Sequence, residues 1–219
     1  GIWKFDKDSG ERNTMFETEA FTTSSGASTL DVGVTEFILS GSSIFAGGRF
    51  DEYGGTSVNQ LVKLDTSGNL DTSFTAHEFT PSGSYSGFNF PQVQSILLDS
   101  NDKLMIGGVF GTYSGSLVNS IVRLNQDASI DTSFDMSDGF TYISSEGEGV
   151  NNILEYNNEY FCSTTFLKYD NTFIGNGNVL LDQTGSIVNN YGGYQGTNLG
   201  FDKPFATIFQ RETPSTNLI

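Results

Sequence analysis

Carboxylates, hydroxyls and aromatic rings, rather than nucleophiles or metal-binding nitrogens, make up the reactive inventory of this 219-residue chain. Three segments set side-chain oxygens at alternate positions around a turn: Asp65-Thr66-Ser67-Gly68-Asn69-Leu70-Asp71, Asn125-Gln126-Asp127-Ala128-Ser129-Ile130-Asp131, and Asp6-Lys7-Asp8-Ser9-Gly10. Calcium takes about six to eight hard oxygen ligands, which makes Asp65, Ser67, Asp71, Asp127 and Asp131 its candidate ligands. The same residue types close turns by bonding their own backbone, and none of the segments has the acidic spacing and terminal bidentate Glu of an EF-hand. Ordinary turns without a cofactor are therefore the expectation, with calcium as the alternative.

Catalysis has little to draw on. Glu146 and Glu148, in Ser144-Ser145-Glu146-Gly147-Glu148-Gly149, could form a carboxylate pair of glycosidase type, but the expectation is a solvated acidic loop. His77 is the single histidine and Cys162 the single cysteine, so neither a His cluster, an internal disulfide nor a structural zinc site can form within one chain. Gly83-Ser84-Tyr85-Ser86-Gly87 has Tyr at its centre, where a nucleophile elbow needs Ser. Gly175-Asn176-Gly177 lacks the third Gly of a dinucleotide loop. No enzymatic activity is expected. For binding, the stretch 75–91 mixes aromatics with small polar residues, a composition suited to adaptable recognition; Tyr85, Phe88 and Phe90 are its candidate contacts to protein or glycan.

The elements that must carry these residues are strands. Ten Lys+Arg against 26 Asp+Glu give a formal charge of −16, which argues against nucleic acid or an anionic membrane as partner. The apolar set is rich in Phe (19) and Tyr (9), types enriched in strands, while 26 Gly and abundant Ser, Thr and Asn favour turns over helix interiors.

The chain repeats itself. Gly47-Gly48-Arg49-Phe50-Asp51-Glu52-Tyr53 returns as Gly107-Gly108-Val109-Phe110-Gly111-Thr112-Tyr113, Leu61-Val62-Lys63-Leu64-Asp65 as Ile121-Val122-Arg123-Leu124-Asn125, and Leu70-Asp71-Thr72-Ser73-Phe74 as Ile130-Asp131-Thr132-Ser133-Phe134. A degraded third copy has Phe166, Tyr169, Val179-Leu180-Leu181-Asp182 and Gly185-Ser186-Ile187. Self-similarity on this scale marks solenoids and propellers.

Partial copies lie at the ends. Ile2 to Phe5 with Phe16 matches the late part of a unit; Phe201, Pro204 and Ile208-Phe209 match Phe88, Pro91 and Ile96-Leu97. The chain thus starts just after one Gly-Gly/Phe/Tyr loop and stops just before another.

The expected fold is all-β: a single β-propeller domain over 1–219, with four blades of about 58 residues. Blade 1 is split between 1–20 and 200–219 and completed by the N- and C-terminal strands; the others cover 30–74, 92–134 and 150–190. Each blade has three strands and a weaker fourth near Ile130 to Phe134. Gly-Gly is expected to supply positive φ or close backbone approach, and Phe50, Phe110 and Phe166 with Tyr53, Tyr113 and Tyr169 to pack between blades. Residues 21–29 and 75–91 read as insertions.

At Gly-Gly-x-Phe-x-x-Tyr, Ile-Val-Arg-Leu-Asn and the following turn, best seen in residues 104–134, the chain resembles the delta-60 repeat family, a repeat β-propeller family of uncharacterised function. It departs at Ser163-Thr164 in place of Gly-Gly, at Ala128 for a turn Gly, and at Val188 in place of the Asp of Asp71 and Asp131. Such repeats are similar to ones in bacterial surface or secreted proteins and in virion proteins of tailed phages. The resemblance implies a non-enzymatic structural or interaction module, virion or extracellular in location, with protein partners in a multi-copy assembly. A bacterial propeller binding glycan or protein is the alternative, and a carbohydrate-active enzyme a weaker one.

Overall fold

A computed structural model describes residues 2–14, 16, 18–24, 32–81, 90–136, 138–141, 149–164, 166, 168–174 and 177–190. Among them there is no helix. Three antiparallel sheets follow one another along the chain, each in sequence order: β1 (Gly33–Ser40), β2 (Ser43–Arg49) and β3 (Leu61–Asp65); β4 (Gln92–Leu98), β5 (Leu104–Val109) and β6 (Ile121–Leu124); β7 (Val150–Tyr156), β8 (Glu159–Thr164), β9 (Asn178–Leu181) and β10 (Ile187–Asn190). The hairpins are closed by turn chemistry. Asp99 Oδ1 accepts the N–H groups of Asn101 and Lys103, both at 2.8 Å. Between β7 and β8, Asn157 and Asn158 both take positive φ, 52° and 62°, the pair of values a two-residue hairpin demands and Asn tolerates.

The expected fourth strand forms only in the third unit, as β10. In the others it is one bridge, Leu64 to Leu70 and Leu124 to Ile130. Phe5 to Arg12 is the same bridge again, so the N-terminal segment folds as the late part of a unit.

Each first strand carries a bulge at the same place, between Val34 and Glu36, Val93 and Ser95, and Val150 and Asn152. Here the glycine pairs find their reason. None of Gly47, Gly48, Gly107 or Gly108 has positive φ; what they share is closeness. A Cβ on Gly48 would lie 2.0 Å from the Gly33 carbonyl oxygen, and one on Gly108 2.1 Å from that of Gln92. A Cβ on Gly47 would lie 2.4 Å from Val93 Cγ1, and one on Gly107 2.8 Å from Val150 Cγ1. One glycine therefore lets the bulged strand of its own sheet approach, and the other admits the first strand of the next sheet.

In the third unit Thr164 replaces the first kind. Its Oγ1 donates to the Gly149 carbonyl at 2.9 Å, the counterpart of the Gln92 carbonyl, and Gly149 takes φ 106°. A contact that excludes a side chain elsewhere has become a hydrogen bond.

The hydrophobic cores are layers between successive sheets. One joins Phe45, Leu61 and Phe74 of the first unit to Val93, Ile96, Leu104 and Ile106 of the second. The next joins Met105, Ile121 and Phe134 of the second to Val150, Ile153, Tyr160 and Cys162 of the third. The third sets Ile2 and Phe16 against Ile44, Ala46, Val62 and Leu64. Ile2 and Phe16 take the places that Leu61 and Phe74, and Ile121 and Phe134, hold in the other layers.

Two segments expected to be insertions contain repeated structure. Phe21–Thr22, Phe79–Thr80 and Phe140–Thr141 are equivalent short strands, pairing with Glu52–Tyr53, Thr112–Tyr113 and Lys168–Tyr169. The dipeptide Phe-Thr was the available signal. Residues 25–30 and 82–89, as well as 191–219, lie outside the described residues, and with them the C-terminal half of the expected split blade.

If layer spacing depends on the glycine of the middle strand, Gly107→Ser should lower unfolding free energy by about 1–3 kcal/mol, the usual cost of overpacking. Adding Val150→Ala should recover part of that loss. Chemical denaturation of the single and double variants measures both; an additive double variant would contradict the contact.

Candidate functional site

Each of the three units with a described sheet spends a tyrosine hydroxyl in the same way. Tyr53 donates to the Gly68 carbonyl and accepts the Glu19 N–H; Tyr113 donates to Ala128 at 2.7 Å and accepts the His77 N–H at 3.0 Å; Tyr169 donates to Gly185 at 2.9 Å. Their rings complete aromatic triads, Phe21–Phe50–Tyr53, Phe79–Phe110–Tyr113 and Phe140–Phe166–Tyr169, with tyrosine centroids 4.7–4.8 Å from the first Phe. Burial pushes the Tyr113 hydroxyl up to about 12. The repeated Phe and Tyr positions are thus packing positions. Phe21, Phe79 and Phe140, which complete the triads, were not singled out from the sequence. His77 belongs to this scheme through its backbone; its side chain is exposed and its ring lies edge-on to Tyr113 at 5.8 Å.

The candidate calcium ligands are all described. Asp65 Oδ1 accepts the N–H groups of Ser67 at 2.8 Å and Asn69 at 2.9 Å, and Oδ2 accepts Asn69 Nδ2. Asp71 and Asp131 each accept a Ser N–H and Oγ two residues on, from Ser73 and Ser133. Asp127 does the same with Ser129. Asn69 and Ser129 draw the Asp65 and Asp127 carboxyls below the usual carboxylate range, and Ser73 with Lys63 holds Asp71 at about 2. For Asp131 burial works the other way, and the Ser133 hydrogen bonds with the Arg123 charge outweigh it. Among the described residues no group of three or more His, Cys, Asp or Glu side chains stands close enough to hold a metal.

Asp71 and Asp131 occupy one repeat position, yet their partners differ. Lys63 pairs with Asp71 at 3.0 Å with both side chains partly open to water. Arg123 is buried: its Nε donates to Asp131 at 3.0 Å, Nη1 to Tyr160 Oη and to the Gln183 carbonyl, Nη2 to Ser133, and its guanidinium lies 4.9 Å over the Phe134 ring. Tyr160 in turn donates to buried Asp99. This network ties the second unit to the third and uses every donor class of the guanidinium.

At the bulges a polar side chain of one unit accepts a backbone N–H of the next. Glu36 Oε2 accepts from Ile96 at 2.7 Å and Ser95 Oγ from Ile153 at 3.1 Å. Burial raises the Glu36 carboxyl, opposed by the Ile96 N–H.

Of the candidate recognition residues, Phe90 is described, half-buried, 5.8 Å beneath the Arg49 guanidinium; Tyr85 and Phe88 lie outside the described residues, as do Glu146 and Glu148. Cys162 is fully buried in a core layer, which raises its thiol.

Stacked antiparallel sheets, joined through glycine contacts and repeated acceptors, define an all-β repeat protein. A family profile described as a domain of unknown function (DUF5122) beta-propeller matches residues 43–74 and 100–134, the stretches that run from the middle strand, or the turn before it, to Phe74 and Phe134. The chain is therefore similar to a β-propeller repeat family over under a third of its length. No curated protein matches it.

The two ion pairs should separate by burial. Arg123→Met removes the buried guanidinium that holds Asp131, Tyr160 and Gln183 and leaves Asp131 only the partly exposed Lys103 at 3.6 Å. It should cost about 3–5 kcal/mol, whereas Lys63→Met should cost under about 1 kcal/mol; equal losses in denaturation would contradict the network. The depressed aspartates favour the folded state above about pH 4 and lose that effect as pH falls through their folded values. Melting temperature should drop between about pH 4 and 2, less steeply in Asp71→Asn.

Proposed function

We propose that the chain is a four-bladed β-propeller serving as a non-enzymatic structural and interaction module of an extracellular assembly, a tailed-phage virion component such as a tail or fibre-associated protein. The observation that carries the architectural part is Ile2 and Phe16 in the layer places of Leu61 and Phe74: three sheets and part of a fourth stack by one rule, and four such units close a ring. Propeller geometry leaves only short, protected strand edges.

The passive role is favoured by where the polar chemistry goes. Aspartates at Asp65, Asp71, Asp127 and Asp131 hold their own turns, tyrosines cap carbonyls and Arg123 is buried, so the repeated groups are committed to the scaffold. Partners are protein surfaces in a multi-copy particle, with no nucleic acid and no membrane, in keeping with a charge of −16. The virion assignment comes from the resemblance of residues 104–134 to repeats found in such proteins; fold alone does not give function.

Electron cryo-microscopy of purified particles should find the domain as an ordered four-bladed disc in symmetric copies; its absence from particles would remove the virion reading. The aspartate turns need no cation, so chelation should leave the melting temperature unchanged, and a fall restored by calcium would reinstate Asp65, Ser67, Asp71, Asp127 and Asp131 as ligands. A bacterial surface or secreted propeller binding glycan or protein through 75–91 is the second reading, favoured by Phe90 stacked under Arg49 at the foot of that stretch. Deleting 82–89 spares the structural Phe79–Thr80 strand and should abolish glycan retention if this reading holds.

A further inference from the structure

Large apolar side chains near the start of the chain face solvent at positions that other units bury. Trp3 and Phe5 are 55% and 58% exposed, whereas Val62 and Leu64, and Val122 and Leu124, at the same repeat positions, are at 2% or less. Phe37 is 47% exposed and its counterparts Ile96 and Ile153 are at 3%. Beside these residues opens an apolar cleft of about 220 Å³, walled by Ile2, Lys4, Phe16, Phe37, Leu39 and Ile44 among others.

The same walls exist, filled, in the two following layers. Phe45 lies 5.3 Å from Phe74 and 5.8 Å from Lys63 Nζ, the counterparts of Phe16 and Lys4. Met105 sits among Ile121, Phe134 and Ile153, the counterparts of Ile2, Phe16 and Phe37. The cleft is thus the seat of one middle-strand apolar side chain.

A second vacancy lies on the third unit. Asn152 holds the bulge position from which Glu36 and Ser95 accept the next unit's N–H. Its Oδ1 is buried and has no hydrogen-bond partner, a state that buried polar atoms rarely keep.

We infer that one segment of this chain, residues 204–219, fills both vacancies: the Phe209 N–H donates to Asn152 Oδ1, and Leu218 occupies the cleft. The inference rests on the ring reading above and adds which residues close it. With Pro204 set on Pro91, Phe209 takes the place of Ile96 and Leu218 that of Met105. Lys63 pairs with Phe45 and Arg123 with Met105, so Leu218 pairs with Lys4 and Ile219 with Trp3. A third contact agrees. Gly47 faces Val93 and Gly107 faces Val150; where the third unit has the larger Ser163, this register supplies the smaller Ala206 in place of the valine. A one-residue slip would turn every side chain to the opposite face and put Phe205 there.

Trp3 is the only tryptophan, which makes the seat directly observable. The full chain should show shielded, blue-shifted Trp3 emission, and removal of 213–219 should return it to the emission of solvated indole. In the full chain, Lys4→Cys with Leu218→Cys should close to an intrachain disulfide in a monomer, and Lys4→Cys with Thr216→Cys should stay reduced; Cys162 is buried and does not compete. Closure of the shifted pair instead, or disulfides formed only between molecules while Trp3 is shielded, would overturn this register or this occupant and leave the ring standing. Trp3 solvated in the full chain, with no disulfide in either pair, would overturn the inference and the closed ring together.

Discussion

The stacking of one sheet on the next depends on a missing side chain. Gly47 and Gly107 sit in the middle strands where the first strand of the following sheet presses in, and a single added carbon would overlap Val93 or Val150. Close packing at that point sets the spacing of each layer, and the spacing brings the bulge-position acceptors within reach of the next strand: Glu36 onto Ile96 and Ser95 onto Ile153. Hydrophobic contact and hydrogen bond therefore belong to one geometry. A sheet held farther away would lose both, because dispersion and hydrogen bonding each fall off within about an ångström of excess separation.

The same geometry accounts for where the repeated polar side chains are spent among the described residues. A repeat protein asks each unit to supply its own turn closures and its own link to a neighbour, and polar side chains are the cheapest way to satisfy backbone groups there. Asp65, Asp127 and Asp131 each accept backbone N–H groups from their own turns. The tyrosines cap carbonyls of the turns they cover. Only where the layers differ does a unit gain something specific, as when Arg123 replaces Lys63 and reaches across to Tyr160 and Gln183.

Much of this was legible in the amino-acid order because the repeat preserves residue identity wherever the job is steric. Gly-Gly, the Phe and Tyr that follow, and the aspartate turns recur with recognisable spacing, which is enough to expect stacked three-stranded sheets. The strand at Phe21–Thr22 and its counterparts escaped notice because two residues carry the signal, and they lie in stretches whose length varies and whose composition is that of loops. The fourth strand was overread for a related reason: Ile130 and Phe134 are apolar because Phe134 enters a layer, while the backbone between Leu124 and Phe134 makes a single bridge. Apolar character marks burial, and burial does not require a ladder.

The bulge-position acceptors mark the limit of sequence reading. Glu36, Ser95 and Asn152 share neither size, charge nor shape, and no alignment by residue type would group them; what they share is an oxygen at one place on a bulged strand. The repeat keeps an acceptor oxygen and leaves its chemistry free, since the donor, the N–H of Ile96 or Ile153, is a backbone group that takes carboxylate or hydroxyl alike. Steric constraints leave a residue-type signature and hydrogen-bond constraints leave a positional one. Thr164 shows the two exchanging within one protein: the position that must be glycine in two units, for want of room, is threonine in the third because its hydroxyl has turned the close carbonyl into a partner.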